Sequence, residues 1–187
     1  MKKFIKFILS QQGKQNKKNG FTLIETLVAV SIFTMSIMAL LVVLTQGIAN
    51  NNYAKKKILA SYLAQEGIEY IRNMRDTYTL YTGVPGNSWN GFKAKLAPCN
   101  PGNGCRFDTV FPHVVVVCND PNNCKLYESN GSYSTNPIGG ADSGFVRKIW
   151  MTTVNVDEVK IFSDVSWTQG SGSYSITFSE NLFNWIE

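Results

Sequence analysis

The fold of this chain is decided by the stretch Gly20-Phe21-Thr22-Leu23-Ile24-Glu25-Thr26-Leu27-Val28-Ala29-Val30. A basic, polar segment ends at Gly20, and an uninterrupted apolar run begins at Phe21. One carboxylate, Glu25, lies inside that run, four residues after Phe21. Together these features predict a processed membrane helix whose new N-terminus and buried acid act as a pair.

The charge of the chain changes at Gly20. The formal charge is +5, yet six lysines and no acidic residue precede Phe21. These are Lys2, Lys3, Lys6, Lys14, Lys17 and Lys18. The remainder carries 12 of the 18 basic residues against 13 acidic ones, a formal charge of −1. We therefore interpret residues 1–20 as a cleaved leader whose charge serves targeting and indicates no nucleic-acid partner.

The apolar run is long enough to cross a membrane. Residues 21–44 contain only one charged side chain, and as a helix they would extend about 36 Å, against about 30 Å for a bilayer core. The leader lysines predict an N-terminus on the cytoplasmic side, and they outnumber the opposing Lys55, Lys56 and Lys57. Hydropathy alone leaves open an ordinary signal anchor of a single-pass protein.

Glu25 argues for more than an anchor. A charged group at the centre of a membrane helix costs roughly 2.5–3.5 kcal/mol on insertion scales, and less near an end. A cut after Gly20 would place the α-amine of Phe21 one helical turn away, where it pairs with Glu25 within one chain or between neighbouring chains. The alternative is a tolerated interfacial glutamate.

The Gly20–Phe21 junction, Glu25 and the run behind them resemble the cleavage and methylation site of type IV prepilins, a family that includes the pseudopilins of type II secretion. The resemblance covers about 11 residues. It implies that a prepilin peptidase cuts between Gly20 and Phe21 and N-methylates Phe21, and that Glu25 registers the subunit in a helical filament. Many members carry a proline in this run, but residues 21–44 contain none.

Residues 21–76 are predicted to form one long helix, with 21–44 as its transmembrane part. Beyond residue 44 an apolar stripe recurs at three- and four-residue spacing, and most of it should pack on a globular domain. The stripe consists of Leu59, Tyr62, Leu63, Glu66, Tyr70, Ile71 and Met74. Low helix propensity predicts weak points at Gly47, Asn50–Asn52 and Gly67. Lys55–Lys57 are interpreted as a solvated face or a contact with acidic neighbours, with DNA binding as the alternative.

Residues 77–187 are predicted to form an extracytoplasmic β-sheet domain. The predicted strands are 111–118, 125–129, 132–135, 145–154, 159–168 and 174–178, with a helical turn near 92–96. Since no helix separates consecutive strands, the sheet should be antiparallel. The predicted class is α+β, type IV pilin-like: a long N-terminal helix packed on a C-terminal antiparallel sheet.

The end of the domain narrows the resemblance. The last part of the chain resembles the C-terminal hairpin of minor pilins of the PilV and GspI types. The resemblance is carried by Asp164-Val165-Ser166-Trp167, a Gly/Ser turn, Tyr174-Ser175-Ile176-Thr177-Phe178 and Asn184-Trp185. This similarity favours a minor subunit over the major pilin.

Four cysteines form two Cys-x5-Cys loops. In an exported domain they predict disulfides, and we expect the local pairs Cys99–Cys105 and Cys118–Cys124. Crossed pairings stay open, because four cysteines allow three schemes. Zinc is the alternative, although it usually selects closer spacing such as Cys-x2-Cys.

The sequence carries no catalytic pattern. His113 is the only histidine and adjoins an apolar strand, so we interpret it as structural. No nucleophile elbow, phosphate-binding glycine loop or close carboxylate pair is found. We expect no enzyme, cofactor or metal site, although the oxygen-rich loop 119–123 leaves calcium open. Asn130-Gly131-Ser132 fits a glycosylation sequence, which its predicted turn also explains.

The interpretation is a minor pilin that starts in the cytoplasmic membrane and moves into an extracytoplasmic filament for adhesion, motility or DNA uptake. Its expected partners are the prepilin peptidase, other pilin subunits through the N-terminal helix, the pilus or secretion assembly platform and the membrane. Two alternatives remain: a pseudopilin of a type II secretion-like machine, and a signal-anchored, ligand-binding ectodomain that never polymerises.

Overall fold

The structure, a computed structural model, describes residues 20–80, 88–107 and 115–184, except for the side chain of Pro121. The chain divides into two compact units, Met1–Ile48 and Ala49–Glu187. Helix α1 (Leu23–Leu80) supplies the described regular structure of the first unit and continues as the only long helix described in the second. The predicted leader, residues 1–20, lies outside the described residues except for Gly20.

Helix α1 differs at both ends from the predicted 21–76. It begins two residues later, because Thr22 caps it, and it ends four residues later at Leu80. Tyr78, beyond the predicted end, packs toward Phe92 with ring centroids 6.5 Å apart. Packing thus extends the helix beyond the residues that propensity alone favours. Gly47 and Asn50–Asn52, the predicted weak points, are helical.

The second unit adds a short helix and seven described strands. They are α2 (Trp89–Leu96), β1 (Cys105–Phe107), β2 (Val115–Val117), β3 (Lys125–Ser129), β4 (Ser132–Ser134), β5 (Ala141–Asn155), β6 (Glu158–Gln169) and β7 (Gly172–Phe183). All described pairings are antiparallel, and β5 pairs with β1, β3 and β6 in one sheet. β7 pairs with β6. This confirms the predicted α+β, pilin-like architecture.

The strand predictions succeed best where turn chemistry is local. β3 and β4 are joined at Asn130-Gly131, whose φ angles of 52° and 79° match the predicted two-residue turn. β5, β6 and β7 pair in chain order, and each is longer than the corresponding predicted strand. β1 was not predicted, because its pairing with β2 and β5 depends on distant segments and not on a local turn. The predicted strand 111–118 is described only from Val115, where β2 begins.

The face of α1 that packs on the sheet alternates small residues with large ones. Its buried residues are Ala60, Leu63, Ala64, Gly67, Ile68, Ile71 and Arg75. The prediction that most of the stripe packs on this domain is confirmed, because five of its seven residues, all except Tyr62 and Glu66, are buried or pack against the core. It is wrong for Tyr62, which is 64% exposed. Glu66 is exposed but contacts β5 through an ion pair with Arg147. At Gly67 the helix approaches the sheet so closely that an added Cβ would lie 2.5 Å from Ser163 Oγ.

Two ion pairs fasten α1 to the sheet. The Arg147 side chain on β5 is 8% exposed, and its Nη1 donates to Glu66 Oε2 at 2.7 Å and to Leu63 O at 3.1 Å. Arg72 donates two hydrogen bonds to the Glu180 carboxylate on β7, from Nη2 to Oε2 at 2.6 Å and from Nε to Oε1 at 3.2 Å. The hydrogen bond to Glu180 is the main reason that the pKa of Arg72 is raised. Forked contacts of this kind fix orientation as well as distance.

Candidate processing and assembly site

The junction between Gly20 and Phe21 lies outside regular structure. Both residues precede the first residue of α1, Leu23, and the Phe21 side chain is 80% exposed. A Cβ built on Gly20 has no other atom within 4 Å. No described residue of the first unit therefore covers the junction, which leaves it accessible to another molecule.

Thr22 organises the start of the helix. Its carbonyl accepts from the amides of Glu25 and Thr26, both at 3.1 Å, and its Oγ1 accepts from the amide of Glu25 at 3.3 Å. Thr22 is therefore the N-cap, and Glu25 occupies the third helical position. This role of Thr22 was not predicted, although Thr-x-x-Glu before an apolar run is the signature of a capping box.

The cap determines where the Glu25 carboxylate lies. Glu25 is in the first turn of α1, where the helix dipole favours a negative charge. Its side chain is exposed and has no hydrogen-bond or ion-pair partner among the described residues. Phe21 lies two residues before the start of α1 and Glu25 lies in its first turn, so the junction and the carboxylate are at the same end of the helix.

The part of α1 after Glu25 has the length and composition of a membrane span. Within the described ranges it is the one helix that meets both criteria, and no residue of its most apolar window is buried. The hydroxyls of Thr26, Ser31, Thr34, Ser36 and Thr45 all donate to helix carbonyls, at 2.8–2.9 Å. Because each hydroxyl is satisfied within the helix, this surface is suited to lipid or to neighbouring apolar helices.

The two cysteine loops lie in the second unit. The structure contains the disulfides Cys99–Cys105 and Cys118–Cys124, with Cα atoms 5.0 and 5.7 Å apart. The first brings β1 next to the end of α2, and the second closes a turn in which Asp120 Oδ1 accepts from Asn122 N at 2.9 Å. Among the described residues, no three His, Cys, Asp or Glu side chains cluster as a metal site.

The remaining predicted residues have varied positions. Lys56 Nζ donates to Thr168 O at 3.0 Å, so the Lys55–Lys57 run is not wholly solvated. Asn130 occupies the β3–β4 turn. His113 lies outside the described residues.

The described geometry defines a class of protein: a membrane-anchored chain with one long N-terminal helix and an antiparallel sheet domain, as in type IV pilins. Residues 15–44 match the family model described as the prokaryotic N-terminal methylation motif. The match covers 30 of the 187 residues and supports a prepilin leader like that of type IV pilins and pseudopilins, proteins in which this motif implies processing by a peptidase and assembly with other pilins. No curated protein and no solved structure gives a significant match to the chain.

Proposed function

We propose that this chain is a minor pilin of a type IV pilus. A prepilin peptidase cuts between Gly20 and Phe21 and N-methylates Phe21, and the mature subunit enters a filament for adhesion, motility or DNA uptake. The observation that carries the proposal is the methylation motif at residues 15–44, placed on an apolar helix whose first turn presents Glu25.

In this proposal the subunit passes from the membrane into the filament. Before the cut, the chain is a single-pass protein of the cytoplasmic membrane with its basic leader inside. After the cut, the exposed apolar surface of residues 21–44 packs against other subunits, and Glu25 meets the amine of Phe21 in its own or a neighbouring chain. An assembly platform draws the helix from the membrane. The sheet domain faces outward and is cross-linked by the disulfides Cys99–Cys105 and Cys118–Cys124.

The β6–β7 hairpin supports the minor subunit. Trp167 lies opposite Tyr174 and is buried against residues 53–64 of α1, as expected if the Val-x-Trp pattern and its returning strand form the hairpin of a PilV- or GspI-type protein. The GspI likeness also keeps the pseudopilin of a secretion machine as the second candidate. Purifying the chain with either a surface pilus or a secretion complex separates these two.

Mass spectrometry of the mature chain tests the processing step. We expect an N-terminus at Phe21 carrying one methyl group. The matched control is Gly20→Leu, since a side chain at position 20 meets nothing within 4 Å and should leave the fold intact. This variant should remain full-length in the membrane. An intact Met1 start in the wild-type chain contradicts the proposal and favours the signal-anchored ectodomain.

A further inference from the structure

The outer edge of β7 is a long strand edge with no partner in the described structure. β7 spans Gly172–Phe183 and pairs only with β6 among the described strands. Its register with β6 runs without a shift from Gln169–Gly172 to Glu158–Phe183. Such a regular, unpaired edge presents a row of free amides and carbonyls to other chains.

The turn before β7 determines which groups face outward. Gly170 has φ +59°, and Ser171, the second central residue, is not among the positive-φ residues, so the turn is type II′. The flanking pair, Gln169 and Gly172, then exchanges hydrogen bonds, and the pattern alternates along the ladder. The residues with backbone groups pointing away from β6 are therefore Ser173, Ser175, Thr177, Ser179 and Asn181.

The usual protection of edge strands is weak at β7. Proteins shield edges with lysine, proline, bulges, inward charges or very short strands. β7 contains no lysine, proline or bulge, and its one charge, Glu180, is neutralised by Arg72. By contrast, the edge strands β2 and β4 are three residues each. Over twelve residues, β7 is therefore the described edge best suited to accept another strand.

A groove beside β7 provides room for the side chains of an added strand. It has a volume of about 660 Å³ and lies between β7 and α1. Ile68 and Phe178 supply its apolar surface, and its charged lining consists of Glu66, Glu69, Glu180 and Arg72. Glu69 and Glu180 share Arg72, and Glu66 pairs with Arg147, so the three carboxylates outnumber the guanidiniums by one. This charge favours an incoming segment with basic side chains and disfavours a second β7, which brings another glutamate.

We propose that the β7 edge accepts an extended segment of a neighbouring filament subunit by β-strand addition. The segment carries apolar and basic side chains at alternating positions, so that those on its inner face enter the groove while its backbone pairs with the outward groups of β7. The inference rests on the proposed function, because that function supplies the neighbouring subunit. It adds a sheet interface to the assembly made by the N-terminal helix.

A synthetic peptide of alternating valine and lysine tests the edge, with the full chain in detergent micelles. We expect saturable binding to the wild type and to Ser179→Ala, which keeps the outward amide. Ser179→Pro removes that amide without touching the β6 ladder, so binding should weaken about tenfold or more. A valine–glutamate peptide should bind the wild type at least about tenfold more weakly. Equal binding to Ser179→Pro, or equal binding of both peptides, overturns the proposal.

Amide hydrogen exchange on the wild type gives a readout independent of any variant. Binding of the valine–lysine peptide should slow exchange at Ser175, Thr177 and Ser179, whereas the amides already paired with β6 should change little. The same outward amides should be slower in sheared filaments than in micelles. Fast exchange at these positions in filaments overturns the proposal. If the chain is absent from filaments, both the proposed function and the proposal that the bound segment belongs to a neighbouring subunit are contradicted. The peptide experiment tests separately whether the β7 edge can bind an added strand.

Discussion

Glu25→Ala should reduce the amount of this subunit in sheared filaments by about tenfold or more while membrane insertion is kept. The reason is the proposed pairing of the Glu25 carboxylate with the methylated amine of Phe21 in an apolar surrounding. Removing one partner of a desolvated charge pair leaves the other charge unpaired and costs about 2–5 kcal/mol. Insertion should not suffer, because alanine is less costly than glutamate in a membrane helix.

The matched variant is Glu25→Gln, which keeps the size and removes the charge. If the charge is what matters, glutamine should be defective like alanine. The measurement is quantitative immunoblotting of the subunit in the filament and membrane fractions, with mass spectrometry confirming a start at Phe21. Full incorporation of Glu25→Gln would show that shape or capping, rather than charge pairing, is the role of Glu25. An uncut chain would place the defect in processing.

The N-terminal part of this molecule could be predicted from the sequence because its signals are local. The leader charge, the Gly20–Phe21 junction and the apolar run are contiguous, and none depends on a distant contact. The β3–β4 hairpin was predictable for the same reason, since Asn130-Gly131 specifies its turn. The capping role of Thr22 has an equally local signal, since Thr-x-x-Glu before an apolar run marks a helix N-terminus.

The packing of α1 on the sheet was less predictable. Periodicity identifies a helix face by its large apolar residues, and this led to Tyr62, which is exposed. The real contact face depends on where a strand more than eighty residues away presents Arg147, which captures Glu66. It also depends on Gly67, which the sequence marked only as a weak point in the helix. No local pattern encodes such pairings between distant segments.

Gly67 provides the second large effect. A Cβ at this position would lie 2.5 Å from Ser163 Oγ, 3.0 Å from Ile149 Cδ1 and 3.3 Å from Ser163 Cβ. Glycine-to-alanine in a helix interior favours folding by about 1 kcal/mol, whereas overpacking a core costs about 1–3 kcal/mol. Because Ser163 is fully buried on β6, the steric cost should win, and Gly67→Ala should lower the free energy of unfolding by about 1 kcal/mol.

A double-mutant cycle with Ser163→Ala identifies the cause. The Ser163 hydroxyl is buried and has no hydrogen-bond partner among the described residues, so Ser163→Ala alone should be neutral or slightly stabilising. In that background Gly67→Ala meets only the flexible end of Ile149 and the Cβ of residue 163, so the helix-propensity gain should prevail. The substitution then stabilises by up to about 1 kcal/mol, so the coupling energy between the two positions is about 1–2 kcal/mol.

Denaturant unfolding of the full chain in micelles, followed by tryptophan fluorescence, measures the free energy of unfolding of all four variants in the cycle. Equal effects of Gly67→Ala in both backgrounds would show that Ser163 does not determine how closely α1 approaches the sheet.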